Sequence, residues 1–143
     1  MTPFSTIRKV EFQHCDPAGI VFYPRYFELI NSVVEQWFEE MVGLSFAELH
    51  LVRDLATPAV HIQVDFSAPS RLGDRLAFSL TVERIGRASL ALRVDARDGD
   101  QRRLDARLVL ACVDQASGRA QAWIPEARDR IERLLATEGA DNA

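Results

Sequence analysis

The spacing of apolar residues changes period along the chain, and the changes mark out the elements. Residues 4–14 read as a strand, with Val10 and Phe12 alternating against Lys9, Glu11 and Gln13. Asp16-Pro17-Ala18-Gly19 follows as a turn, with proline at its second position and glycine at its fourth. From Pro24 the spacing turns helical. Phe27, Ile30, Val33, Val34, Trp37, Phe38 and Met41 share one side, and Glu28, Ser32, Glu35 and Glu39 the other. Proline suits a helix start because its missing N–H has no helical acceptor to lose, and Gly43 suits the end. Ser45–Leu49 reads as a short helical turn.

From Pro58 the period falls to two. Val60, Ile62, Val64 and Phe66 alternate with His61, Gln63, Asp65 and Ser67. Leu76, Phe78, Leu80 and Val82 form a second such run, Leu90, Leu92 and Val94 a third, and 103–114 a longer fourth. The connections, Ser70–Asp74, Ile85–Arg87 and Asp98–Asp100, are short, which implies antiparallel neighbours. Pro125 opens a last helix, with Ile131, Leu134 and Leu135 on one side. The predicted order is one strand, one long helix, about four strands and a terminal helix. That is an α+β chain whose antiparallel sheet carries the long helix on one face.

Composition narrows the class. A chain of 143 residues is expected to form one domain, 1–143, with a real core. No apolar run approaches the roughly 20 residues that span a bilayer. The first residues lack a basic stretch followed by an apolar one, so no secretory signal is expected. Cys15 and Cys112 make no disulfide framework, which points to a reducing, cytoplasmic setting. A net charge of −4 argues against a general nucleic-acid or membrane-surface partner. The cations are sixteen Arg and one Lys, Lys9. Either a codon bias or local phosphate sites accounts for that ratio, since the guanidinium fork grips phosphate.

The stretch HCDPAGIVFYPRYF, residues 14–27, concentrates the candidate chemistry. In an extended segment His14 and Cys15 point to opposite faces, so the imidazole is poorly placed to deprotonate the thiol. Three consecutive ligands cannot converge on one metal, and no second Cys or His pair has metal-site spacing, so no metal is expected. No G-x-S-x-G elbow and no Gly-rich nucleotide loop occurs. Asp16 is what remains. It precedes a helix whose flanking residue, Tyr23, has no short side-chain oxygen to cap the free N–H groups. Such a helix end can polarise a carbonyl. A turn folding Asp16 toward it would join a carboxylate to an oxyanion donor, the minimum for acyl transfer. On spacing alone, stabilising the Asp-Pro turn is the simpler role for Asp16.

DPAGIVFYPRYFE resembles the active-site segment of the 4-hydroxybenzoyl-CoA thioesterase family of hot-dog fold proteins. HIQVDFSAPSRLGDRL, VERIGRASLAL and IPEARDRIERLL resemble its strands and terminal helix, so the likeness covers nearly the whole chain. It implies a curved antiparallel sheet wrapped around one long central helix, plus a C-terminal helix. It also implies a homodimer formed edge to edge, often paired into a homotetramer, with active sites at the dimer interface. The implied reaction is hydrolysis of an aromatic or small acyl-CoA thioester, with coenzyme A as part of the substrate and no cofactor.

Residue by residue, the resemblance assigns catalysis to Asp16, as nucleophile or as general base for water. The carbonyl-polarising backbone N–H falls to Tyr23. Asn31 resembles a pocket residue that meets a polar acyl substituent, though it also merely flanks a core stripe. Thr57 and His61 match a segment reaching the site from the partner chain, while alternation turns His61 away from the Val60–Phe66 stripe. Arg87, with Arg84 near it, matches a holder of the coenzyme A phosphates. Gly86 and Ala88 are less basic than that family's pattern. His14 stands where relatives often carry a carboxylate, and either tunes Asp16 or ends a strand. Rival readings are a short-chain or acyl-carrier-protein thioesterase of the same fold, and a non-catalytic acyl-CoA binding protein that keeps Asp16 as a turn residue.

Overall fold

A computed structural model describes residues 3–141. Five strands form one antiparallel sheet in the order β1-β4-β5-β6-β3. They are β1 (Phe4–Lys9), β3 (Ala59–Phe66), β4 (Arg75–Ile85), β5 (Ser89–Asp98) and β6 (Gln101–Ala111). Two-residue strands β2 (Leu55–Ala56) and β7 (Val113–Asp114) pair separately. Helix α1 (Tyr23–Trp37) continues as a wider turn over Phe38–Val42 and stops at Gly43, whose φ of 84° favours a residue without a Cβ. Helix α2 spans Pro125–Asp141. This is the hot-dog architecture the resemblance implies.

Alternation explains which face of the sheet is covered. Leu76, Phe78 and Leu80 of β4, Leu90, Leu92 and Val94 of β5, and Leu104 and Ala106 of β6 are all fully buried. Against them α1 and the wider turn that continues it lay Ile30, Val33, Val34, Trp37 and Phe38. Each such side chain contributes about 1.5–3 kcal/mol on leaving water. The opposite face carries charge instead, with Arg93 bound to Asp105 at 2.9 Å and Arg107 facing Glu83 at 3.6 Å. Ala127, Ile131 and Leu134 complete the core from α2. Glu138 of α2 accepts the Val82 N–H, a ladder donor of β4 beyond the reach of β1. No helix is long and apolar enough to cross a membrane among the described residues.

Two expectations about local structure need correction. The first strand stops at Lys9, not at residue 14, because Glu11 and His14 cap each other around a short 3-10 turn that leads the chain off the sheet. The alternation of Val60 with Ile62, Val64 and Phe66 also fails at its first member. Between Ala59 and His61 the pairing with β6 slips, leaving Val60 as a bulged residue. Ala59, opposite Leu110, takes the core-side position, and Val60 is 64% exposed at the outer edge of the sheet.

Candidate active site

The segment entering α1 is a small hairpin. Cys15 bridges Val21, the Asp16 N–H donates to Ile20 O, and the Phe22 N–H donates to His14 O at 2.9 Å. Its turn closes through the Gly19 N–H and Asp16 O, with Gly19 at a φ of 78°. The Asp16 carboxylate serves the turn with one oxygen: Oδ1 accepts the Ala18 N–H at 2.8 Å. Oδ2 has no partner among the described residues. The half-buried carboxylate therefore commits one oxygen to the turn and leaves the other uncommitted.

The start of α1 lacks a side-chain cap, as expected, but the N-cap position falls to Phe22, and Tyr23, expected to flank the helix, is its first residue. Pro24 has no N–H, and the Arg25 N–H is taken by Phe22 O at 2.8 Å. That leaves the Tyr23 N–H as the first free donor, without an acceptor among the described residues. The same hairpin thus carries an uncommitted carboxylate oxygen at its turn and, one residue past its last pairing, an uncommitted N–H at the positive end of a helix. Tyr23 and Tyr26 line a groove of about 340 Å3 with Val21, Phe66, Ser67 and Pro69.

Asn31 and Thr57, 26 positions apart in the sequence, come together in one apolar cavity of about 220 Å3 between α1 and β3. Phe27, Ile30, Ala59 and Ile62 form much of its wall. Asn31 lies eight residues along α1 from Tyr23, about 12 Å at 1.5 Å per residue.

His61 and Arg87 lie elsewhere. His61 is opposite Val109, on the face of the sheet turned away from this cavity, and is exposed. Arg87 is exposed on the β4–β5 hairpin, whose neighbour Ala88 accepts the Cys112 N–H, while the adjoining Ala111 donates to Pro58 O. Arg87 is therefore at the Thr57 end of the sheet. Within one chain it is remote from Asp16, whose hairpin meets Ser70 and Leu72 beyond the other end of β3. His14 does not bond Asp16: its Nδ1 accepts the Glu11 N–H at 2.9 Å, which directs the ring back along its own turn.

The support beneath the hairpin has no signature in the sequence. Ser70 is fully buried. Its carbonyl accepts the Val21 N–H at 2.9 Å and its hydroxyl accepts the Tyr26 OH at 2.9 Å. Arg103, also buried, donates to Pro69 O, to Asp74 at 2.8 Å and to Asp98 at 3.2 Å. A serine in a Ser-Ala-Pro-Ser-Arg run looks like any turn residue, and nothing local betrays its partners.

The profile of the thioesterase superfamily matches residues 18–104. A 1,4-dihydroxy-2-naphthoyl-CoA hydrolase of Nostoc punctiforme is 28% identical over 96% of this chain and 90% of its own length. One from Synechocystis sp. is 34% identical, over 57% of this chain and 59% of its own length. The crystal structure of a 1,4-dihydroxy-2-naphthoyl-CoA thioesterase from Synechocystis superposes with a TM-score of 0.84. That comparison is 24% identical and covers 93% of this chain and 98% of that one.

Proposed function

The chain belongs to the thioesterase superfamily, and on that premise we propose that it hydrolyses an aromatic acyl-CoA thioester to the free acid and coenzyme A. The observation that carries the proposal is the pairing on one hairpin of the unengaged Asp16 Oδ2 and the unengaged Tyr23 N–H. In this reading the thioester oxygen accepts the Tyr23 N–H. As the carbonyl carbon is attacked its oxygen gains charge, so a fixed dipole there favours the transition state over the ground state. Asp16 attacks the carbonyl carbon and the C–S bond breaks, releasing the coenzyme A thiolate and leaving a mixed anhydride. Water then cleaves the anhydride and restores the carboxylate.

The acyl group belongs in the Asn31–Thr57 cavity. A cavity of roughly 150 Å3 holds benzene, so about 220 Å3 suits a substituted or fused aromatic ring. Asn31 and Thr57 are its polar side chains and neither is charged, which favours a hydroxylated aryl group over an anionic one. The 4-hydroxybenzoyl and 1,4-dihydroxy-2-naphthoyl groups both fit that chemistry.

A homodimer completes the site. Among the described residues the outer edge of β3 is unpaired, and it shows Val60, Ile62 and Phe66 at 64%, 38% and 47% exposure. Ala59 and Phe66 stand seven residues apart, about 23 Å at 3.3 Å per residue. Pairing two β3 edges antiparallel about a two-fold axis sets the Thr57 end of each chain beside the Tyr23 end of the other. It also carries Arg87 toward the partner's hairpin, where coenzyme A phosphates need a cation.

Thiol release from 4-hydroxybenzoyl-, benzoyl-, 1,4-dihydroxy-2-naphthoyl- and short aliphatic acyl-CoA tests the reading. The expected result is turnover of hydroxylated aryl thioesters ahead of aliphatic ones. A protein that hydrolyses none of them overturns it, and preference for an aliphatic chain overturns the aryl assignment.

A further inference from the structure

The geometry points to Ser70 and Tyr26 as a positioning pair that fixes the Asp16 hairpin against the start of α1, an inference that rests on the thioesterase reading above. Three segments meet at Ser70. Its backbone carbonyl holds the hairpin through the Val21 N–H, and Ile20 and Leu72 extend that contact through the Arg71 bridge and the Gly19 carbonyl. Its hydroxyl holds the helix through the Tyr26 OH at 2.9 Å. From behind, Arg103 fastens Pro69 and Asp74 on either side.

The Tyr26–Ser70 bond is, among the described residues, the only side-chain hydrogen bond joining the first turn of α1 to another segment. Tyr26 is 4% exposed and Ser70 fully buried, so neither exchanges this partner for water. The Tyr26 ring also packs on Phe66, with centroids 5.3 Å apart. Asp16 and the Tyr23 N–H are the two groups that must act on one carbonyl, and both are referenced to Ser70, one through each of its oxygens. A displacement of about 1 Å between reacting groups can cost 100-fold in rate.

A purely structural role makes a different forecast, which a double-mutant cycle exposes. Tyr26→Phe and Ser70→Ala each leave one buried polar atom without its partner, and each is expected to lower stability. In Tyr26→Phe/Ser70→Ala both are gone, so stability recovers toward wild type. If the pair positions the site, kcat on 4-hydroxybenzoyl-CoA or the best aryl-CoA stays 10- to 100-fold down in all three variants. KM moves less than about threefold, because neither residue lines the cavity for the acyl group. A double variant that regains wild-type kcat along with its stability overturns the inference, and so does a Tyr26→Phe enzyme of unchanged kcat. Wild type and Asp16→Asn run beside them keep the two failures apart. Active wild type, inactive Asp16→Asn and fully active Tyr26→Phe sink the positioning role alone. A wild type without thioesterase activity sinks both readings.

Discussion

The buried Arg103 guanidinium donates to the Asp74 carboxylate across 2.8 Å, and that carboxylate also accepts the Arg71 N–H at 2.9 Å. The Arg71 N–H first, and Arg103 second, hold the Asp74 carboxyl below its ordinary range. Asp105 is held down in the same way by its hydrogen bonds from Arg93.

A carboxyl depressed in the folded state binds fewer protons there than in the unfolded chain, so its contribution rises with pH. It is complete above the unfolded value near 3.9 and is lost as pH falls through the lower folded value. Asp74→Asn is therefore expected to lower stability by about 2 kcal/mol at pH 7, and by less in acid below the unfolded value. Urea unfolding under both conditions checks this, and a gap that persists undiminished in acid contradicts it.

Asp16 commits one oxygen to the turn and leaves the other for the proposed attack, so two substitutions separate the roles. Asp16→Asn keeps an acceptor for the Ala18 N–H and should melt like wild type while kcat drops by roughly 100- to 10,000-fold. Asp16→Ala should lose activity and also some stability, since the turn loses its acceptor. Thermal melts beside thiol-release kinetics read both. An Asn variant with full activity removes Asp16 from the mechanism.

Thr57→Val preserves shape and removes one hydroxyl from the cavity. Losing a hydrogen bond of about 1–1.5 kcal/mol to a ring hydroxyl lowers kcat/KM roughly 10-fold. The fall is expected for 4-hydroxybenzoyl-CoA and not for benzoyl-CoA. Asn31→Leu should shift the preference the same way. Equal losses on the two substrates argue that these residues shape the cavity without reading the hydroxyl.

Val60 sits at the bulge on the open edge of β3, where a charged side chain opposes edge-to-edge pairing. Val60→Lys is expected to convert a dimer to a folded monomer with greatly reduced turnover. Light scattering coupled to size exclusion gives the mass, and circular dichroism gives the fold. A monomeric wild type, or a fully active monomeric variant, contradicts the shared site.

The parts of this structure that were legible in the sequence are those set by near neighbours. Pro24 and Gly43 bracket the long helix as expected, because a missing N–H and a positive φ are properties of single residues. The turn at Asp16–Gly19 and the runs at 76–82 and 90–94 formed as their patterns predicted. The bulge at Val60 did not show, because a slip in pairing depends on β6, whose Leu110 lies 51 positions from its partner Ala59. Tyr26 and Ser70, separated by 44 positions, and Arg103 and Asp74, by 29, were hidden for the same reason. Buried polar pairs leave no periodic trace in either partner's neighbourhood. In the candidate site, the Asp16 turn and the uncapped helix start could be read locally, whereas the meeting of Asn31 with Thr57 required the fold.

The direction of β3, with Thr57 at one end and the Asp16 hairpin beyond the other, has a genetic consequence. In the proposed two-fold dimer each site would borrow its hairpin from one chain and its cavity from the other, so different lesions would complement. Take one chain inactivated by Asp16→Asn and another whose cavity is filled by Ala59→Trp. In a hybrid of the two, one site inherits both defects and the other inherits neither. Mixing two dead proteins would then revive turnover, up to half of wild type per hybrid, a recovery that no arrangement of self-contained sites can produce.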